Sequence, residues 1–257
     1  MASIDLNADL GETVAGVPTA DDEAMFAVIS SASIACGGHA GDAASLRAAV
    51  DRAARFGVAV GAHPSYPDPA NFGRVPMAMA SAELTATVTA QLHALADAGA
   101  DVRYVKPHGA LYHAVTADAD QADAVVAAIA ALAERLGRPL PVLGMRGEIE
   151  RAARAAGLPF VLEAFLDRGY LADGSLVPRG VTGALLHDPT QVADRSLRLV
   201  RVERGTHSPG HRDRVGRVAV DAEGCRVHAH RGAVGRLHHT LADEAERTIS
   251  DLRGVVQ

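Results

Sequence analysis

The sequence predicts a single α/β domain folded as a TIM-like barrel of seven or eight strands. Three observations predict it. Short apolar runs alternate with helical periods along the chain, polar and histidine-bearing residues gather where those runs end, and 257 residues is a common length for a one-domain α/β barrel. Alternation of this kind is the signature of βα units around a parallel sheet.

The elements follow in order. Ser3 to Asp9 reads as the first strand, Asp21 to Ala32 as a helix and Ser33 to Cys36 as the second strand. Asp42 caps a helix running to Phe56, where Gly57 stops it, and Val58 to His63 is the third strand. Ser81 is the expected cap of a helix with Leu84, Val88, Leu92 and Leu95 on one face, and Val102 to His108 is the fourth strand. Asp118 to Leu136 carries Val125, Ile129, Leu132 and Leu136 at helical spacing; Pro141 to Gly144 is the fifth strand, Glu148 to Ala156 a helix, and Phe160 to Asp167 the sixth strand. The segment from Arg168 to His187 is punctuated by Gly and Pro and reads as an active-site loop. Beyond it we expect a helix from Pro189 to about Arg201, a seventh strand within 217–228 and a helix from Ala233 to Leu252.

Composition narrows the function classes. The chain is 48% hydrophobic and carries a formal charge of −6 with no basic stripe, so a small molecule fits better as a partner than nucleic acid. No apolar run approaches the roughly 18 residues of a membrane span, and the first residues read as strand rather than as a secretion signal. A soluble, cytoplasmic protein is expected. Cys36 and Cys225 form neither a disulfide framework nor a metal-spaced cluster, in keeping with a reducing compartment.

Lys106 is the single lysine among 25 basic side chains, the rest being arginine, and it stands at the end of the fourth strand. Where arginine meets every general need for positive charge, a lone compact ammonium points to catalysis or close substrate contact. The same fact excludes a Walker A loop from this chain, since that loop needs its own lysine.

Chemistry in a parallel barrel gathers at the C-terminal ends of the strands. On the first strand Asp5, Asn7 and Asp9 share one face by period-two alternation, and Glu12 follows. Three polar side chains on one buried face need partners. His39 lies just beyond the second strand, His63 ends the third and His108 the fourth, where it shares a face with Lys106; Pro64 and Pro107 fix the turns beside them. Converging over one barrel mouth with Asp9, these histidines suit either a divalent metal or acid/base work. The sixth strand adds Glu163 and Asp167, with Arg168 just beyond. Arg74 and Arg179 lie in loops, where a guanidinium can clamp a carboxylate or phosphate. Asp42 reads as a helix cap before a ligand, and Cys36 as a buried thiol before a nucleophile.

Six blocks, taken together, resemble the LamB/YcsF family of 5-oxoprolinase A subunits. They are Asp5-Leu6-Asn7-Ala8-Asp9-Leu10-Gly11-Glu12, Ala35-Cys36-Gly37-Gly38-His39-Ala40-Gly41-Asp42, Gly61-Ala62-His63-Pro64, Asn71-Phe72-Gly73-Arg74, Lys106-Pro107-His108-Gly109-Ala110-Leu111-Tyr112 and Asp167-Arg168-Gly169-Tyr170. The resemblance covers roughly residues 2–200. It implies a barrel similar to the glycoside hydrolase/deacetylase type and an ATP-dependent ring-opening of 5-oxoproline to glutamate, carried out with B and C partner subunits. On this reading Lys106, His108, His63 and Asp9 are the expected catalytic residues, and Asn7, Glu12, His39, Arg74, Glu163, Arg168 and Arg179 the expected substrate contacts. ATP is then used through the complex.

Two other readings stay open. Asp9, His39 and His63 can hold a divalent metal, which makes the chain a metal-dependent deacetylase or amidohydrolase. Alternatively the barrel is a non-catalytic substrate-binding subunit. The chain departs from the family at His113, where relatives often carry Asn, and within 204–257, where Cys225-Arg226-Val227-His228-Ala229-His230-Arg231-Gly232 replaces a block ending in Gly-Asp. Six of the twelve histidines lie in that segment at irregular spacing, which argues against a metal-binding tract.

Overall fold

The structure, a computed structural model, describes residues 5–188, 190–192 and 219–221. Its elements are β1 (Asp5–Leu10), β2 (Thr13–Val14), β3 (Val17–Pro18), α1 (Asp22–Phe26), β4 (Ser31–Ala35), α2 (Ala43–Phe56), β5 (Ala59–His63), α3 (Ser81–Asp97), β6 (Val102–Val105), α4 (Gly109–Ala117), α5 (Ala119–Arg135), β7 (Val142–Gly144), α6 (Glu148–Ala155), β8 (Phe160–Phe165) and β9 (Ala219–Asp221). The sheet is a closed barrel in the order β1-β4-β5-β6-β7-β8-β9, and β2 and β3 form a separate antiparallel ribbon. Parallel pairing of β9 with β1, in the register Asp5↔Ala219 and Asn7↔Asp221, supplies the expected seventh strand. The helices expected from Pro189 and from Ala233 fall on residues almost wholly outside those described.

The chain divides into two compact units. One runs through Ala164 and includes β9; the other contains the described segment from Phe165 onward. In the first unit, α3 buries Leu84, Val88, Leu92 and Leu95 completely, and α5 does the same with Val125, Ile129 and Leu132. At about 1.5–3 kcal/mol per large apolar side chain, these stripes are a major stabilising term for the barrel's outer layer. In the second unit, short antiparallel bridges join Arg168 to Leu185 and Tyr170 to Leu176. Among the described residues, no helix is long and apolar enough to cross a membrane.

Several boundaries differ from the sequence reading, each for a physical reason. The first helix ends at Phe26 and β4 starts at Ser31. Ser30 and Ser31 are drawn onto β1, where their hydroxyls bond Asp5 at 2.6 and 2.8 Å. Ala80, not Ser81, takes the cap position of α3 and makes no side-chain bond there. The fourth strand stops at Val105, because Pro107 has no N–H to continue the ladder, and the overlooked helix α4 begins at Gly109. Asp42 caps α2 in a reciprocal capping box with Ser45.

The barrel interior is polar on β1 and filled from the opposite wall. Tyr104 of β6 reaches across, and its hydroxyl lies 3.2 Å from Ser33 Oγ. Gly61 on the intervening β5 makes this path available: a Cβ there would sit 2.2 Å from the tyrosine ring.

Candidate active site

Alternation along β1 aims Asn7 and Asp9 inward, and Lys106, one residue past β6, meets both. Its Nζ donates to Asn7 Oδ1 at 3.2 Å and lies 3.0 Å from Asp9 Oδ1 and 2.9 Å from Glu163 Oε1 of β8. All four side chains are buried. Burial alone would raise the Asp9 pKa, but His63 and Lys106 outweigh it and hold the carboxyl well below its usual range. At Glu163 burial prevails over the attraction of Lys106, and the pKa is raised. One ammonium thus faces two carboxyl groups pushed in opposite directions, the pattern by which one site holds an acid and a base.

His63, last in β5, turns its ring between β1 and β6. Its Nδ1 donates to the Lys106 carbonyl at 2.7 Å, and its Nε2 lies 3.0 Å from Asp9 Oδ2 and 2.9 Å from His108 Nδ1. Burial opposes its charged form, yet Asp9 more than compensates and the pKa is raised. His108 occupies the N-cap position of α4 and donates from Nε2 to the Phe72 carbonyl at 3.0 Å. His39 stacks on it, ring centroids 3.7 Å apart and planes within 9°, and presents Nε2 to Glu12 Oε1 at 3.2 Å. Burial, then the like charges of neighbouring imidazoles, pushes His39 well below its ordinary value and His108 to about 3. Both rings are neutral ligands or bases near neutral pH.

The loop after β5 closes this cluster. Phe72 adopts φ 56°, in the left-handed region, and its ring meets His39 and His108 edge-on at 5.2 and 5.6 Å. Gly73 follows at φ 63°, where a Cβ would stand 2.8 Å from His39 Cβ and 3.2 Å from His108 Cδ2. Such strain collects at functional sites. Gln91 of α3 pins the preceding turn by accepting from Ser65 N at 3.0 Å and donating to Ser65 O at 2.7 Å.

The structure therefore brings together Asn7, Asp9, Glu12, His39, His63, Lys106, His108 and Glu163. The predicted arginines are placed otherwise. Arg74 is exposed, its guanidinium 5.0 Å above the Phe72 ring. In the second unit, Arg179 is exposed, while Arg168 is buried and donates to the carbonyls of Val177 and Ala184 at 2.8 and 3.2 Å. Cys36 donates to Ile34 O at 3.1 Å, and burial pushes its thiol up to about 12, which leaves it unreactive. Among the described residues, Glu12, His39, His63 and His108, all buried, offer one ligand atom each within 4.8 Å of one another and could hold a metal ion; of the expected set Asp9, His39 and His63, the two histidines are in this group and Asp9 is not. Asp9 is engaged by Lys106. Sequence reading passed over Phe72 and Gln91, whose contributions are a backbone carbonyl and a buried amide that leave no periodic signal.

Fold and site together define a TIM-like α/β barrel protein whose buried charges and imidazoles gather at the carboxyl ends of the strands. The LamB/YcsF family model matches residues 4–253. The chain belongs to that family, and the match runs on past residue 204. It is 49% identical over 206 residues to the 5-oxoprolinase A subunit 1 of Agrobacterium fabrum, covering 78% of this chain and 79% of that protein. To the 5-oxoprolinase A subunit of Streptomyces griseus it is 49% identical over 215 residues, 81% of this chain and 84% of the relative. The lactam utilization protein from Thermus thermophilus shares the fold with a TM-score of 0.79 at 36% identity, over 95% of this chain and 97% of the other.

Proposed function

We propose that this chain is the A subunit of an ATP-dependent 5-oxoprolinase, opening the lactam of 5-oxo-L-proline to give L-glutamate together with B and C subunits. Relatives named as 5-oxoprolinase A subunits, at 49% identity over most of both chains, carry this reading. Five of the blocks that resemble the family supply Asn7, Asp9, Glu12, His39, His63, Phe72, Lys106 and His108, which meet at one site in the barrel.

A lactam carbonyl is stabilised by resonance, so opening the ring needs activation at oxygen, a positioned water and a proton for the leaving nitrogen. In the proposed sequence the complex transfers the ATP γ-phosphoryl group to the lactam oxygen. Water then adds to the carbonyl carbon, the C–N bond breaks with protonation of nitrogen, and further hydrolysis releases phosphate. No Walker A loop exists in this chain, so nucleotide binds in another manner or on a partner.

In the metal-free site Asp9 Oδ2 and His108 Nδ1 lie 3.0 and 2.9 Å from His63 Nε2, so a proton on that nitrogen is shared among the three groups. Lys106 supplies fixed positive charge against developing oxyanions while keeping Asp9 ionised. Arg74, at the exposed edge of the histidine cluster, is the proposed contact for the substrate carboxylate.

Reconstitution tests the proposal. Cognate B and C subunits with this chain should convert 5-oxoproline to glutamate with consumption of ATP, and should lose that coupled reaction when the chain is left out. If B and C alone turned over at the same rate, the proposed role of this chain would fail.

A further inference from the structure

Two imidazole nitrogens, His63 Nε2 and His108 Nδ1, face each other at 2.9 Å, and the Asp9 carboxylate lies 3.0 Å from the first. A carbonyl oxygen can only accept, so the bonds from His63 Nδ1 to Lys106 O at 2.7 Å and from His108 Nε2 to Phe72 O at 3.0 Å fix hydrogens on those atoms. The nitrogens left over, His63 Nε2 and His108 Nδ1, point at one another, so a cation of some kind, either a proton shared with Asp9 or a metal ion, belongs between them.

The surroundings suit a metal ion better than a proton alone. Glu12 Oε1 lies 4.0 Å from His108 Nδ1 and 3.2 Å from His39 Nε2, adding negative charge and a third nitrogen to the same point. His39 is fully buried, and its Nδ1 makes no hydrogen bond. Backbone carbonyls behind His63 and His108 set tautomer and ring orientation, as partners of metal-bound imidazoles do. Ligand atoms about 2.1 Å from a tetrahedral ion stand roughly 3.4 Å apart, and these four atoms lie within 4.8 Å of one another, a gap that small side-chain rotations close.

We infer that Glu12, His39, His63 and His108 form a binding site for one divalent ion of the zinc type, beside the Asp9–Lys106–Glu163 charge group, which meets it where Asp9 lies 3.0 Å from His63. Three imidazoles and one carboxylate are a borderline donor set, which takes Zn(II) or Co(II) in preference to Mg(II) or Ca(II). This inference goes beyond the proposed 5-oxoprolinase activity and does not depend on it.

The test needs neither substrate, ATP nor partner subunits. Untagged full-length protein is stripped with chelator, titrated with Co(II) and followed by visible absorption and by metal content after gel filtration. One ion per chain with the intense d–d bands of a four-coordinate site is expected, displaced by one equivalent of Zn(II). Glu12→Gln and His39→Asn, each checked for native circular dichroism, should weaken binding by more than the roughly 10–100-fold typical of losing a group behind a ligand. Asp9→Asn should retain one ion per chain. Binding that survives both Glu12→Gln and His39→Asn, binding lost in Asp9→Asn alone, or no stoichiometric binding by the parent protein would each overturn the assignment. Any of those outcomes leaves the reconstitution result untouched.

Discussion

Lys106 Nζ lies 3.0 Å from Asp9 Oδ1, with both side chains buried in the barrel. Glu163 flanks the same ammonium at 2.9 Å, so the single lysine of the chain is the hub of an internal charge group. Charges taken from water cost several kcal/mol each, and only mutual pairing offsets this. The proposed chemistry and the folding therefore draw on the same side chain.

Replacing Lys106 with Met should accordingly do two separable things. It takes Lys106 from both Asp9, which keeps only His63, and Glu163, a loss that should lower unfolding free energy by about 3–5 kcal/mol. Urea unfolding checks this. Coupled glutamate formation should be lost even at temperatures where the variant is fully folded. A variant of unchanged stability would mean that Lys106 is not paired as described.

Gly73→Ala probes the loop that shapes the histidine cluster. The glycine is at φ 63°, and an added Cβ would press 2.8 Å from His39 Cβ. Backbone strain of this kind costs about 1–2 kcal/mol, a modest loss for a large barrel. Because the new methyl displaces His39 and His108 directly, we expect activity to fall by at least tenfold at near-parental Tm. Equal activity in Gly73→Ala would show that the ring stack is not needed.

Sequence periodicity revealed most of the barrel because parallel strands and amphipathic helices have different repeats. The inward stripe of Asn7 and Asp9 and the helix stripe of Leu84, Val88, Leu92 and Leu95 follow directly from them. What periodicity could not reveal is which polar residue takes which partner. His39 and Glu12 meet only because the chain turns after β1 and β4, and Phe72 matters through a carbonyl that any residue possesses. Helix α4 was hidden because Lys106-Pro107-His108 reads as a strand terminus, which masks the helix starting one residue later. Arg168 shows the converse: a guanidinium that the family resemblance makes an expected substrate contact donates to the carbonyls of its own loop.

Arg168→Ala should therefore loosen its loop. The half-buried carbonyl of Val177 would lose a charged donor, a change worth about 1–3 kcal/mol, while Ala184 O would keep only its bond from Gly169 N at 2.9 Å. Hydrogen exchange should accelerate within 168–186 while the α3 and α5 amides stay protected. Unchanged exchange in that loop, with a raised KM for 5-oxoproline, would restore the substrate-contact role.

Cys36 offers a control on burial at the same strand ends. With its thiol pushed up to about 12 and donating to Ile34 O, it should resist alkylation at pH 8 in native protein and react fully in urea. Peptide mapping after iodoacetamide separates it from Cys225. Rapid native labelling of Cys36 would contradict the burial described.

Acid should unfold the protein through the histidine cluster before the carboxylates contribute. Burial, then neighbouring imidazoles, holds His108 at about 3 and His39 well below its ordinary value, whereas unfolded histidines titrate near 6.5. Between those values the unfolded chain binds more protons than the native one. Stability therefore rises with pH across that window and is lost on acidification, by up to about 1.4 kcal/mol per pH unit for each histidine. Asp9, depressed by His63 and Lys106 against its burial, adds a loss of the same sign only below its unfolded value, near 4. His63 acts oppositely: its pKa is raised, so its contribution is complete below about 6.5 and fades as pH rises through the folded value. Urea unfolding from pH 4 to 9 should show a maximum near neutrality, and His108→Gln should flatten the acid limb while leaving the alkaline limb in place. An acid limb of parental slope in His108→Gln would remove that ring from the neutral, buried state assigned to it.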